Sequence, residues 1–416
     1  MKHQILSASQ PTLWNEAVRF PGGLTVFVVP GDDLPTLLVK MPHQYLLTSR
    51  MNRGFKIYVV PLERQGSSTI GLVSAFFDDI DNPLTVWTPI AHEPHAQALL
   101  QTLQISRIFV RMVDEHNREL LAYEAMIDIP PIASARITSA KLYPTAHDID
   151  LDTRKLGETW FGMRSTADDE QAITVSFLNP LYEEDRKFRD ERPELFTFHG
   201  SAGFAEVSLV RLEPGQFQEM DILLMLQRIF NPQQIYHAPL RKNDREEICD
   251  VLVVADDYIL IIQAKDSPNT EKMLSSSFDR KRSKAKSQLD DGCNQVAGAI
   301  GYLKRTHPLQ FIVDKKIVSV EIEDKEVLSL VVIRERITYD YQHYSARLMR
   351  LHQKIGIPCL GIGFVELTQY CTFCDGPDGF RKAYWSVFND GIKTGVFKQL
   401  RFGVKDLYTH DGEFRF

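Results

Sequence analysis

The chain has 416 residues, 44% of them hydrophobic and 25% charged, with a net charge of −7. That composition belongs to a globular protein with apolar material for more than one core, and it excludes a disordered or collagen-like chain. The negative balance excludes a globally basic nucleic-acid binder, so any nucleic-acid contact must come from a local patch.

No stretch approaches the ~20 apolar residues that span a bilayer, and residues 1–20 lack an apolar core of signal-peptide length, so no membrane partner is expected. Five cysteines, an odd number and widely spread, fit reduced thiols in a cytoplasm better than a disulfide framework. From residue 20 to 130 the pattern predicts strands. Residues 23–33, 36–41, 55–63, 70–79 and 107–115 are short β-branched and aromatic runs broken by Gly, Pro and Asp. One helix is predicted over 93–106, with Ala96, Leu99, Leu100 and Leu103 along one face. The charge run at 183–194 reads either as a hinge or as a solvated helix face within one domain. An N-terminal α+β domain over residues 1–200, with a recognition or regulatory role, is expected on this basis. The second domain would cover 201–416, including a C-terminal extension.

Beyond residue 216 the pattern changes to helix and strand in alternation. A helix is expected over 218–230 and a strand at 233–240, followed by two apolar runs with a long helical region over about 271–305 after them. A buried strand at 327–335, a helix at 344–356 ended by Gly356 and a strand at 357–367 complete the series. Alternation of this kind predicts an α/β layer with helices packed on a central sheet.

The two apolar runs, residues 251–254 and 258–262, flank Asp256 and Asp257 and predict a hairpin. With these aspartates as the loop, counting outward sets Asp250 opposite Gln263, and strand alternation turns Lys265 to the same face. A carboxylate, an amide and an ammonium group would then converge at the hairpin mouth. Mg²⁺ or Mn²⁺ takes oxygen ligands and needs only one or two protein carboxylates. Asp250, the Gln263 carbonyl and the Ala264 backbone carbonyl could supply those oxygens, and Lys265 could hold an attacking water. The plainer alternative is a cross-strand ion pair between Asp250 and Lys265. Glu219 is an independent candidate, because Ile222, Leu223, Leu226 and Phe230 follow it at helical spacing, and a carboxylate on an apolar stripe needs a cation or hydrogen-bond partners. It could instead lie in a wetted first turn. Asp221 is a secondary candidate, whereas Glu247 is expected on the opposite strand face and Glu246 too far away.

This arrangement, D-x12-Q-x-K across a hairpin between an amphipathic helix and a long helix, resembles the PD-(D/E)xK nuclease superfamily. It is most similar to the Mrr-like restriction endonuclease branch, which carries Gln in place of Glu. The resemblance covers roughly residues 216–370. It implies a restriction-endonuclease-like domain with a central mixed sheet flanked by helices, the metal-binding acid at Asp250, the Q-x-K pair at Gln263 and Lys265, and the helix glutamate at Glu219. Two departures are a missing proline before Asp250 and the uncharged Gln263, which make Glu219 more important.

Arg280, Lys281, Arg282, Lys284 and Lys286 form a basic cluster that is either a phosphate-backbone contact or a solvated helix end. The resemblance also implies a glutamine beside the site, for which Gln295 fits best and Gln288 second. Cys371 and Cys374 have C-x2-C spacing without a second pair, which favours plain thiols over zinc. His237 is expected as a strand-end histidine. The expected function is a metal-dependent endonuclease acting on DNA rather than RNA, in restriction or antiviral defence. A partner protein of a multi-subunit system and a homodimer are both compatible. The rivals are a catalytically inactive nuclease-like binding or assembly subunit, and a nuclease gated by a ligand of the N-terminal domain.

Overall fold

The computed structural model describes residues 4–402 apart from 21, 65–66, 146–148, 150 and 338–339. The chain is mixed α/β, built around two large mixed sheets flanked by helices.

The first sheet has eight strands. From edge to edge they are Gly23–Phe27, Thr36–Lys40, Arg107–Val113, Glu119–Asp128, Ile173–Pro180, Gly54–Arg64, Ser67–Phe76 and Leu84–Pro89. All neighbours are antiparallel except Thr36–Lys40 against Arg107–Val113. Alternation explains its one-sided burial: in Ile173–Pro180, Ile173, Val175 and Phe177 are buried while Thr174 and Ser176 are half-exposed. The charge run at 183–194 is partly strand, not the helix face that was one of its two readings. Lys187–Asp190 pairs antiparallel with Ala205–Ser208, and its charges alternate outward.

The second sheet has the order Ile235–His237, Val251–Val254, Tyr258–Lys265, Glu326–Ile333, Cys359–Gly363. The first three strands pair antiparallel and the last three parallel. Tyr258–Lys265 is buried from Tyr258 through Ala264, the pattern of a strand covered on both faces. The helices Pro214–Leu226, Phe278–Leu303, Tyr341–Ile355, Phe364–Phe373 and Gly376–Thr394 pack on this sheet or on each other. At Gly292 the long helix Phe278–Leu303 crosses the sheet so closely that a Cβ would sit 2.4 Å from Val331 Cγ1.

Several boundaries differ from those expected. The first helix is shorter, Pro94–Thr102, and the region after the hairpin is two helices, Glu271–Leu274 and Phe278–Leu303. Residues 364–367, expected as strand, open the helix Phe364–Phe373, where Glu366 reaches back to the Gly363 N–H at the helix start. Tyr341–Ile355 does end at Gly356, which takes the left-handed φ of 72°. Among the described residues, no helix is long and apolar enough to cross a membrane.

The two sheets meet along a seam. The loop 114–118, between strands Arg107–Val113 and Glu119–Asp128, reaches the helix Pro214–Leu226, and Arg118 Nη2 donates to Asp221 Oδ1 at 2.9 Å.

Candidate functional site

The hairpin forms in the register that the apolar pattern dictates. Val254 pairs with Ile259, the Ala255 N–H donates to the Tyr258 carbonyl at 2.9 Å, and Asp256 and Asp257 are exposed at the tip. Extending the Val251–Ile262 pairing one step outward sets Asp250 opposite Gln263. Asp250 is 8% exposed, and its Oδ2 accepts the Ala264 N–H at 2.5 Å. Gln263 is 3% exposed, and its Oε1 has no hydrogen-bond partner. A buried amide oxygen without a donor is costly. A cation would satisfy it.

Lys265 is half-buried, and its positive charge opposes the upward push on both Asp250 and Glu247. Glu219, the sixth residue of its helix and so beyond the first turn, is half-buried, and its Oε2 meets His237 Nε2 at 3.0 Å. Its negative charge acts on both carboxyls at the hairpin mouth. His237 does end its strand, as expected, but it is tied to the helix carboxylate rather than left in solvent.

Glu247 corrects the sequence reading. It was expected on the far strand face, yet its carboxyl hydrogen-bonds Asp250. The strand begins only at Val251, and Arg245 adopts a positive φ of 60°, so strict alternation does not extend back to residue 247. Although the Glu247 side chain as a whole is exposed, desolvation of its carboxyl, followed by the bond to and charge of Asp250, pushes it up to about 8. Burial likewise raises Asp250, opposed by its bonds to Glu247 and to the Ala264 N–H. Near neutral pH the two carboxyls therefore share a proton, as crowded like charges do.

The remaining candidates are scattered. Of the basic run, Lys281 Nζ pairs with Asp78 at 2.9 Å, and both Arg282 and Lys286 pair with Asp340 at 2.8 Å. Arg280 and Lys284 are exposed and make no ion pair among the described residues. The cluster is thus largely spent on packing the long helix to its neighbours. Gln295 is also corrected, since it is exposed. The buried glutamine is Gln288, 4% exposed, whose Nε2 donates to Ser267 Oγ at 3.0 Å. The reason is phase: Leu289, Val296 and Ile300 mark the buried stripe, and Gln295 falls just outside it. Cys371 is buried and Cys374 half-buried, and neither is in a disulfide.

Sequence reasoning missed a second polar cluster at the seam. Glu115, His116 and Asp221, all buried, have ligand-type atoms within 4.8 Å of one another, the one such triad among the described residues. Its electrostatics argue against a cation. Asp221 accepts from Arg118 at 2.9 Å and from Arg211 at 2.8 Å, while Asp114 accepts from Arg118 at 2.6 Å. Two guanidinium groups already neutralise the two aspartates, both of which they hold well below the ordinary carboxylate range. Glu115 is driven the other way, to about 8, by burial and by the neighbouring carboxylates. Only a D-E-H-x-R string at 114–118 hinted at this network, because its partners lie about a hundred residues away.

Comparison of the chain with protein-family models and with curated proteins returns no match.

Proposed function

We propose that the hairpin mouth is the active site of a divalent-metal-dependent phosphodiesterase, a nuclease of PD-(D/E)xK type in a restriction-endonuclease-like fold. The observation that carries this reading is the buried, unpartnered Gln263 Oε1 at the hairpin mouth, beside the hydrogen-bonded carboxyls of Asp250 and Glu247. Those oxygens suit Mg²⁺ or Mn²⁺, with Asp250, Gln263, the Ala264 carbonyl and Glu219 as the holding groups and Glu247 as an addition. When bound, the cation would polarise a phosphoryl oxygen and acidify water. His237 orients Glu219 through its Nε2. Lys265 contributes an ammonium that can position water and stabilise charge developing on phosphorus. DNA, through exposed Arg280 and Lys284, is the proposed substrate class, with the N-terminal half as recognition module in a cytoplasmic defence setting. Five cysteines outside any disulfide suit that compartment.

One observation favours a non-catalytic nuclease-like subunit instead: Lys281, Arg282 and Lys286 are already paired within the chain. Plasmid incubation with and without Mg²⁺ decides between them. Mg²⁺-dependent cleavage is expected, lowered by about 10²-fold or more in Lys265→Ala, as for loss of a key electrostatic group. Absence of cleavage together with no Mg²⁺-dependent rise in melting temperature would leave the subunit reading standing.

A further inference from the structure

A cavity lies on the seam, lined by residues 42–44 from the first sheet's side and by residues from 211 to 364 on the other. Its walls include Arg211, Gln218, Asp266, Asn269 and Arg334. Arg211 is 5% exposed, with Nη1 donating to Asp221 Oδ2 at 2.8 Å, while Nε and Nη2 have no partner. Those two N–H groups form the edge of a guanidinium that grips a carboxylate or phosphate with two parallel bonds. Gln218 is 2% exposed, and neither its Oε1 nor its Nε2 has a partner. Two buried side chains on the same wall therefore leave strong hydrogen-bonding atoms open, a combination that native interiors avoid.

Arg334 contributes charge, with four of its five N–H donors engaged. Its nitrogens are spent on the Gln44 amide, the Ser267 and Pro268 carbonyls and Asn269 Oδ1, at 2.7–2.9 Å. It forms a rigid cationic wall. Asp266 is the one carboxylate among the cavity's lining residues, and its Oδ1 accepts the Ser267 N–H at 2.7 Å. A second cavity shares Gln44 and Arg334 with the first, and its charged lining is mixed, with Lys281, Lys284, Asp78 and Glu335.

We infer that this seam cavity is a binding site for a compact oxyanion, a carboxylate or phosphate group on a small molecule, gripped by the Nε/Nη2 edge of Arg211 and the amide of Gln218. The site is separate from the hairpin mouth yet contiguous with it in the chain: Gln218 precedes Glu219, and Asp266 follows Lys265. Binding there does not depend on the phosphodiesterase reading.

The test is titration of the full chain with inorganic phosphate and, separately, acetate, against chloride at matched ionic strength, followed by calorimetry and thermal melting. Saturable binding of at least one anion is expected, with phosphate alone pointing to a phosphate group and acetate alone to a carboxylate. Gln218→Leu removes an unpartnered buried amide, so it should fold with an unchanged or higher melting temperature and raise Kd at least tenfold. Arg211→Lys keeps a charge near Asp221 but loses the two-pronged edge, with the same expected loss. Lys265→Ala should bind normally, which separates this site from the active-site reading. The inference is overturned if neither anion binds saturably beyond chloride, or if Gln218→Leu or Arg211→Lys binds within twofold of the native chain.

Discussion

Asp250 and Glu247 are the residues whose state at the hairpin mouth changes most with solution conditions. Desolvation and the bond between them leave Glu247 near 8, so the pair carries a proton at pH 7 that a metal ion must displace. Mg²⁺ affinity should therefore rise with pH by up to about tenfold per unit, flattening above about 8. Calorimetry in buffers of different ionisation enthalpy should record that proton leaving, and Glu247→Gln should abolish the slope. An affinity indifferent to pH would mean that the two carboxyls share no proton. The legibility of these residues follows from where they sit on the strand. Asp250 and Gln263 could be paired from the string alone, because two apolar runs around Asp256 and Asp257 oppose cleanly in one register. Glu247 could not, because the backbone turns between Arg245 and Val251 and the two-residue period has no hold there.

The long helix Phe278–Leu303 is the element that locks the second sheet. Its buried stripe, Leu289, Val296 and Ile300, was readable from spacing, but the closeness of its crossing was not, since that depends on Val331 arriving from a strand 39 residues after Gly292. Gly292 makes the crossing possible. Gly292→Leu would force side-chain atoms into Val331 and should cost about 1–3 kcal/mol, read as a lowered denaturation midpoint with an unchanged slope. Gly292→Ala should cost less, because a single methyl group asks for a smaller shift. The basic run at the start of the same helix was legible as charge, while its use was not. Asp78 belongs to the first sheet's side and Asp340 precedes the helix Tyr341–Ile355, so neither pairing follows from local spacing.

Across the whole molecule the seam sets the response to acid. Burial lowers His43 to about 4 and His116 to about 3, from an ordinary 6.5, so both favour the folded state above pH 6.5 and lose that contribution as pH falls through their folded values. Glu115 acts oppositely: raised from 4.5 to about 8, it contributes below pH 4.5 and loses that contribution as pH rises to 8. The two effects oppose each other between pH 4.5 and 6.5. Below 4.5 Glu115 is protonated in both states, and the histidines act together with Asp114 and Asp221, whose carboxyls are held low. Thermal stability should therefore fall steeply between pH 4.5 and 3, and His116→Gln should make the fall shallower in melts across that range. The strand Arg107–Val113 and the helix Pro214–Leu226 beside this seam were readable from periodicity, whereas Glu119–Asp128 was not among the expected strands; the seam itself joins residues 103 positions apart, as Arg118 and Asp221 are, and no local pattern reaches that far. That single guanidinium grips the helix two residues after Glu219, less than one turn from the hairpin mouth. Grafting a foreign amino-terminal module onto this chain would thus import a compatibility demand, because a newcomer lacking a cation at that spot would leave Asp221 held by Arg211 alone, with its buried Oδ1 short of a donor.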